Sequence, residues 1–173
     1  MATRFIAFAI GMGLLAPCLA QEASQPIERL PVTDARNSAA QYAFTQGLIH
    51  TKISEKCQKH PDPIRANAIA ALASWRERNQ YLVTPAFFWT KYVSVTNSQG
   101  QGYVLRTLQS YDADAEQAVR TTLPGRKPDA AACTEALSGF SDGALDLRNS
   151  EHAPSLQEIR EYSYKFSVPA TTR

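Results

Sequence analysis

Apolar residues recur along this chain at intervals of three and four, and no segment sustains an alternation of apolar and polar positions. That period belongs to helices with one buried face. Over residues 34–59, Tyr42, Ile49, Ile53 and Cys57 keep to one face, and Gln46 interrupts them, so it needs a polar partner or an edge position. A second helix follows "HPDPIR". Asp62 suits its N-cap, and Pro63 suits its first position, where no backbone donor is required. In that helix Ile64, Ala68, Ala71, Leu72, Trp75 and Leu82 share a face. The stripe over 103–122 is Val104, Leu108, Tyr111, Ala115 and Ala118. The stripe over 128–148 is Cys133, Leu137, Phe140, Ala144 and Leu147, with the same steps of four and three. "SLQE" at 155–158 matches a capping box and opens a last helix edged by Leu156, Ile159 and Phe166.

The breaks are as legible as the stripes. Residues 21–33 hold two prolines and no clean period, and read as an extended or flexible lead-in. Pro85 clashes with an uninterrupted helix, so Thr84 is expected to cap and Pro85 to open a kinked continuation or a short separate helix, "PAFFWTKYV". "TNSQGQG" at 96–102 and "LPGRKP" at 123–128 are turns. The fold expected is all-α: one domain over 34–173, an up-and-down bundle of four main helices plus a C-terminal one.

Cysteines sharpen that picture. In an up-and-down bundle the first helix ends where the fourth begins, which places Cys57 and Cys133 at the same end on neighbouring helices. A Cys57–Cys133 disulfide is therefore expected, provided the chain reaches an oxidising compartment. Residues 1–20 supply that condition. Arg4 is a positive n-region, "FIAFAIGMGLLA" an apolar core too short to span a bilayer comfortably, and "CLA" before Gln21 a cleavage signature. Cleavage near Ala20 and Gln21 would give a periplasmic or secreted protein with no stable membrane insertion afterwards. Pro17, directly before Cys18, fits a lipid anchor at that cysteine poorly. Loss of Arg4 takes the formal charge from +2 to +1, and no basic run argues for nucleic acid.

Candidate chemistry is sparse. His50, His60 and His152 show no metal-type spacing, and with both mature cysteines paired no metal or other cofactor is expected. His60 is expected at a helix C-terminus, where its charge suits the dipole. No nucleophile elbow or phosphate loop is present, and "GQG" lacks the strand and later glycine of a dinucleotide site. Asp112 and Glu116 are one turn apart, with Asp114 between them. They read first as a solvated acidic face and second as an acid–base pair. Gly139 and Gly143 fall inside the expected fourth helix, where each costs about 1 kcal/mol against alanine, so close packing of a helix or a ring such as Trp75 or Phe88 should compensate.

The densest stretch is "ASWRERNQYLVTPAFFWT", residues 73–90. Trp75 and Asn79 face inward with Arg78 at the edge of the stripe. Trp75 and Asn79 are expected to hold the core, with Arg78 and Asn79 satisfying carbonyls freed before Pro85. Phe87, Phe88 and Trp89 are consecutive and cannot all face one core. With Arg78 and Tyr92 they are the candidates for a partner surface. The class expected is an exported non-enzymatic protein that binds another protein of the cell envelope, for instance as an inhibitor or immunity factor. The alternatives are a small envelope enzyme using Asp112, Asp114, Glu116 or His152, and a stress-related envelope scaffold.

Overall fold

The computed structural model of the chain describes residues 29–96 and 100–167; the expected leader at 1–20, most of the lead-in and the side chain of Phe166 lie outside them. Five α-helices follow in order: α1 (Asp34–Cys57), α2 (Ile64–Thr96), α3 (Gly100–Thr122), α4 (Ala130–Ser141) and α5 (Ala153–Ser167), with a 3₁₀ turn at Leu147–Asn149. Among the described residues no strand occurs. The helical bundle and the Cys57–Cys133 disulfide expected from the sequence are both present.

The antiparallel pair α1–α2 is the spine. α3, α4 and α5 each pack on both members of it, α3 chiefly on α1 and α4 chiefly on α2. Small side chains make the close approach possible: Ala39, Ala40 and Ala43 of α1 and Ala68, Ala71 and Ala86 of α2 are all buried. Burying alanine gains little transfer free energy per residue, but it lets dispersion contacts form between backbones. The larger core side chains are Trp75, Phe140, Leu123, Leu147, Leu156 and Ile159.

Four helix termini meet at the disulfide end. Cys57 closes α1 and Cys133 lies in the first turn of α4, with their Cα atoms 5.6 Å apart. Ser54 donates to the Ala68 carbonyl of α2 (2.8 Å). Lys56 donates to the Leu123 carbonyl (2.8 Å) and the Gly125 carbonyl (3.1 Å), placing its charge where the α3 dipole is negative. His60 bonds the Pro128 carbonyl (2.8 Å), so it links two connections as well as following a helix end.

Five local expectations are corrected. α2 continues unbroken for 33 residues through Pro85, which excludes the separate helix and leaves the continuation, and Thr84 accepts from Gln80 instead of capping. Leu82, Ala86 and Trp89 are buried on either side of the proline, and that packing outweighs the roughly 3 kcal/mol proline penalty. Pro63 precedes α2, whose first residue is Ile64, and Asp62 pairs with Arg65 (3.1 Å). α4 stops at Ser141, where an unbroken helix to 148 was expected, because Gly143 takes φ +77 in the turn that follows. Asp129, not Pro128, starts α4, accepting from the Ala132 amide (2.7 Å). α5 begins at Ala153, two residues before the serine of the supposed capping box.

The disulfide closes a 76-residue separation. Removing it with the pair Cys57→Ser and Cys133→Ser should lower unfolding free energy by about 4 kcal/mol in the chain-entropy description. Urea denaturation of the oxidised protein and of the variant measures this; coincident midpoints would contradict it.

Candidate functional site

Trp75, Arg78 and Asn79 stand at i, i+3 and i+4 and therefore share one face of α2. All three reach the segment that leaves α4. The Trp75 indole donates to the Leu145 carbonyl (3.2 Å). Asn79 accepts from the Leu147 amide (2.7 Å) and donates to an Asp146 carboxylate oxygen (3.0 Å) and to the Trp75 carbonyl (2.8 Å). Arg78 Nε donates to both Asp146 oxygens (3.0 Å each), and its outer nitrogens reach Ser74 and the Phe140 carbonyl. Arg148 completes the set at 3.1 Å from Asp146.

Asp146 is the residue the sequence reading missed. It is 2% exposed and meets two guanidiniums and one amide. An unpaired carboxylate at that depth would be very costly, whereas this one has both oxygens occupied. The signal that pointed toward it was the inward-facing Arg78–Asn79 pair, which demanded an acceptor. The acceptor lies 67 and 68 positions downstream of Asn79 and Arg78, not at the Pro85 break. Gly143 belongs to the same loop, with a positive φ and Asp146 Oδ2 3.3 Å from where a Cβ would stand. Gly139 lies under Leu145, whose Cδ1 would be 3.1 Å from an added Cβ, so a leucine takes the place expected for a ring.

His50 is fully inside. Its ring stacks on Trp75 (4.2 Å between centroids, 14°) and tilts against Phe140 (4.3 Å). Nδ1 bonds the Gln46 carbonyl (2.6 Å), and Nε2 has no partner among the described residues. Burial lowers its pKa to about 4, against opposing contributions from the Gln46 carbonyl and Asp146, so the ring is neutral at physiological pH. His152 packs on Tyr42 (4.7 Å).

The acidic cluster is organised by a lysine. Lys52 of α1 bridges Asp112 (2.9 Å) and Glu116 (2.7 Å) of α3, and Asp114 is exposed on the outer side. Lys52 holds the Glu116 carboxyl below its usual range, which favours an ionised clamp over a proton donor. Among the described residues no group of three or more His, Cys, Asp or Glu side chains is placed to hold a metal ion.

The structure separates the five candidate partner residues. Arg78 is engaged in the Asp146 clamp. Trp89 is 2% exposed and donates to Asn37 (3.0 Å). Tyr92 is half-buried against Trp89 and Tyr162 and reaches the Leu30 carbonyl (3.4 Å). Phe87 stacks on Phe44 of α1 (5.7 Å). Phe88 alone turns outward, 54% exposed, with the Lys91 ammonium near both phenylalanine rings (4.6 and 6.0 Å). Two turns earlier on the same face stands Tyr81, 42% exposed, with the Arg160 guanidinium of α5 5.1 Å above its ring. Comparison with protein-family models, with curated proteins and with solved structures finds no match to this chain.

Two measurements check this description. Asp146→Ala leaves Arg78 and Asn79 facing an uncompensated gap and should cost about 3–5 kcal/mol in urea unfolding. A loss below about 1 kcal/mol would show that the clamp does not organise the loop. For His50, the folded-state pKa of about 4 lies below the unfolded value of 6.5. The neutral ring therefore contributes fully above pH 6.5, and the contribution falls away as pH drops through about 4, a loss of roughly 3 kcal/mol. His50→Phe keeps a ring against Trp75 and should flatten that part of the stability–pH curve between pH 7 and 4; an unchanged slope would exclude the assignment.

Proposed function

We propose that this chain is an exported protein that binds another protein through the outer face of α2. The single observation that carries the reading is the pair of exposed aromatic rings, Tyr81 and Phe88, each accompanied by a cation. Seven residues apart, they stand about 10 Å apart along one helix face. Aromatic side chains contribute large contact areas at small entropic cost and are enriched among interface anchors. Here the anchors sit on a helix fixed by the core, so little ordering remains for the moment of binding. Lys91 and Arg160 set the complementary chemistry: a partner offering apolar pockets rimmed by acidic side chains.

Export is supported by the leader-like pattern of residues 1–20 and by the disulfide, which suits an oxidising compartment. An inhibitor or immunity factor is one form such a binding protein takes, and the compact stapled body is compatible with it. The envelope-enzyme reading has less support, because His50, Asp146 and the acidic pair are each engaged in interactions that hold the fold.

Photo-crosslinking in the producing cell tests the reading. A photoreactive phenylalanine at position 88 or 81 should give a discrete protein adduct, and the same probe at exposed Thr121 should give none. With the partner purified, Phe88→Ala should weaken binding by about 2 kcal/mol, near thirtyfold, without changing the melting temperature. Equal adducts at all three positions, or undiminished affinity of the Tyr81→Ala, Phe88→Ala double variant, would rule this face out.

A further inference from the structure

A second surface, away from the outer face of α2, has a different character. The start of α1, the C-terminal half of α2 and the first half of α3 diverge around an open cleft of about 430 Å³. Its floor is Trp89, Thr90 and Tyr111, all buried. Its walls are the half-buried Asn37, Tyr103 and Thr107, and its rim carries Asp34, Gln41 and Ser110. Each helix presents these groups at helical spacing, Asp34, Asn37 and Gln41 on α1 and Tyr103, Thr107 and Ser110 on α3. Positions that would otherwise close an apolar core are therefore amides, hydroxyls and phenols. The volume falls in the range of small-molecule sites.

The polar groups define a ligand chemistry. Asn37 is oriented: its carbonyl oxygen accepts from the Trp89 indole, which can only donate, so its NH₂ turns away from Trp89 as a fixed donor. The Tyr111 phenol lies against the Thr90 side chain and within electrostatic reach of Tyr103. Gln41, Thr107 and the phenols can both donate and accept, while the Ser110 hydroxyl, which donates to the Thr107 carbonyl (2.8 Å), offers its lone pairs. Among the described residues Asp34 is the one charged side chain lining the cleft. An anion would meet Asp34 with no opposing cation among the described lining residues. A cation would satisfy Asp34 and leave the Asn37 donor without an acceptor. A neutral polyol satisfies both kinds of group, since every hydroxyl donates and accepts, and the Tyr103 and Tyr111 rings supply apolar faces for its C–H surface.

We propose that this cleft binds a neutral, hydroxyl-rich ligand, one or two sugar units of a glycan. Tyr103 provides the stacking ring, Asn37 a fixed donor and Asp34 an acceptor at the rim. Trp89 beneath them reports occupancy, and the chain's other tryptophan, Trp75, is buried in the Asp146 clamp.

The test uses the exported full-length chain after leader removal. Tetra-N-acetylchitotetraose, cellotetraose and maltotetraose are each titrated up to about 10 mM, with tryptophan fluorescence and calorimetry as readouts. At least one should bind. Trp89→Phe should abolish the fluorescence response and, by releasing the Asn37 amide, weaken the calorimetric affinity without eliminating it. Tyr103→Ala and Gln41→Ala should each weaken binding by about tenfold or more with an unchanged thermal midpoint. No binding by any of the three, or affinity unaffected by Tyr103→Ala, would overturn the proposal. Preferential binding of spermidine or tetramethylammonium, lost in Asp34→Asn, would overturn it in favour of a cation site.

Discussion

The buried carboxylate of Asp146 is the constraint on which the second half of the molecule depends. It sits in a loop with no regular hydrogen-bond ladder of its own, between the end of α4 and the start of α5. Such a segment can enter a core only if its polar groups find partners there. Arg78 and Asn79 supply them, and Trp75 adds a third bond to the Leu145 carbonyl. With the loop so held, Leu147 is driven to full burial and α5 is delivered onto the spine with Leu156 and Ile159 inward. Without it, the α4–α5 connection would keep only short-range bonds such as that from Asn149 to the Gly143 carbonyl (3.0 Å), which shape the loop but do not seat it on α2. The net electrostatic gain of such a cluster is small against its desolvation, so its contribution is better described as selection of one arrangement.

α4 shows how the two ends of the bundle cooperate. It has only twelve residues and three buried side chains, Cys133, Leu137 and Phe140, too few to fix a helix by apolar burial alone. Its first turn is tethered to α1 by the disulfide, and its last carbonyls and exit loop are gripped by Arg78. The His50–Trp75–Phe140 stack lies between those two points and joins α1, α2 and α4 through ring contacts. A neutral histidine can occupy that position because its one donor is satisfied within its own helix.

What the sequence disclosed follows from which interactions are periodic. Stripes such as Cys133, Leu137 and Phe140, and the placement of both cysteines at one bundle end, depend on helix geometry and were readable. On α1 the apolar stripe misplaced the buried face by about one position, because its true centre is Ala39, Ala43, His50 and Ser54, residues that carry little hydrophobic contrast. Around Pro85 the sequence left a continuation and a separate helix both open, because the proline's local cost is visible in sequence while the burial of Leu82, Ala86 and Trp89 that decides for continuation is tertiary. Asp146 was invisible for a related reason. A surface aspartate and a buried one look alike until their partners are known, and these partners are dozens of residues away. Of the candidate interface only Phe88 remained outward, since three consecutive aromatic residues must distribute around the helix and two of them had core positions waiting.

The same distribution bears on function. Several chemically versatile side chains are engaged within the bundle: His50 in the aromatic stack, Asp146 between two arginines, Lys52 between two carboxylates. The two surfaces with recognition capacity both draw on α2, one outward-facing and one lining a cleft against α1 and α3. Phe88 and Tyr81 point away from the bundle, while Trp89 and Tyr111 form the floor of the polar cleft. Phe87, Phe88 and Trp89 thus divide three tasks between successive positions: packing on α1, facing outward, and underlying the cleft. A helix continuous through Pro85 is what makes that division possible. A break there would uncouple the register of Phe88 and Trp89 from that of Trp75 and Asn79. Because it is absent, the core clamp, the outer aromatic face and the floor of the cleft are set by one continuous helix.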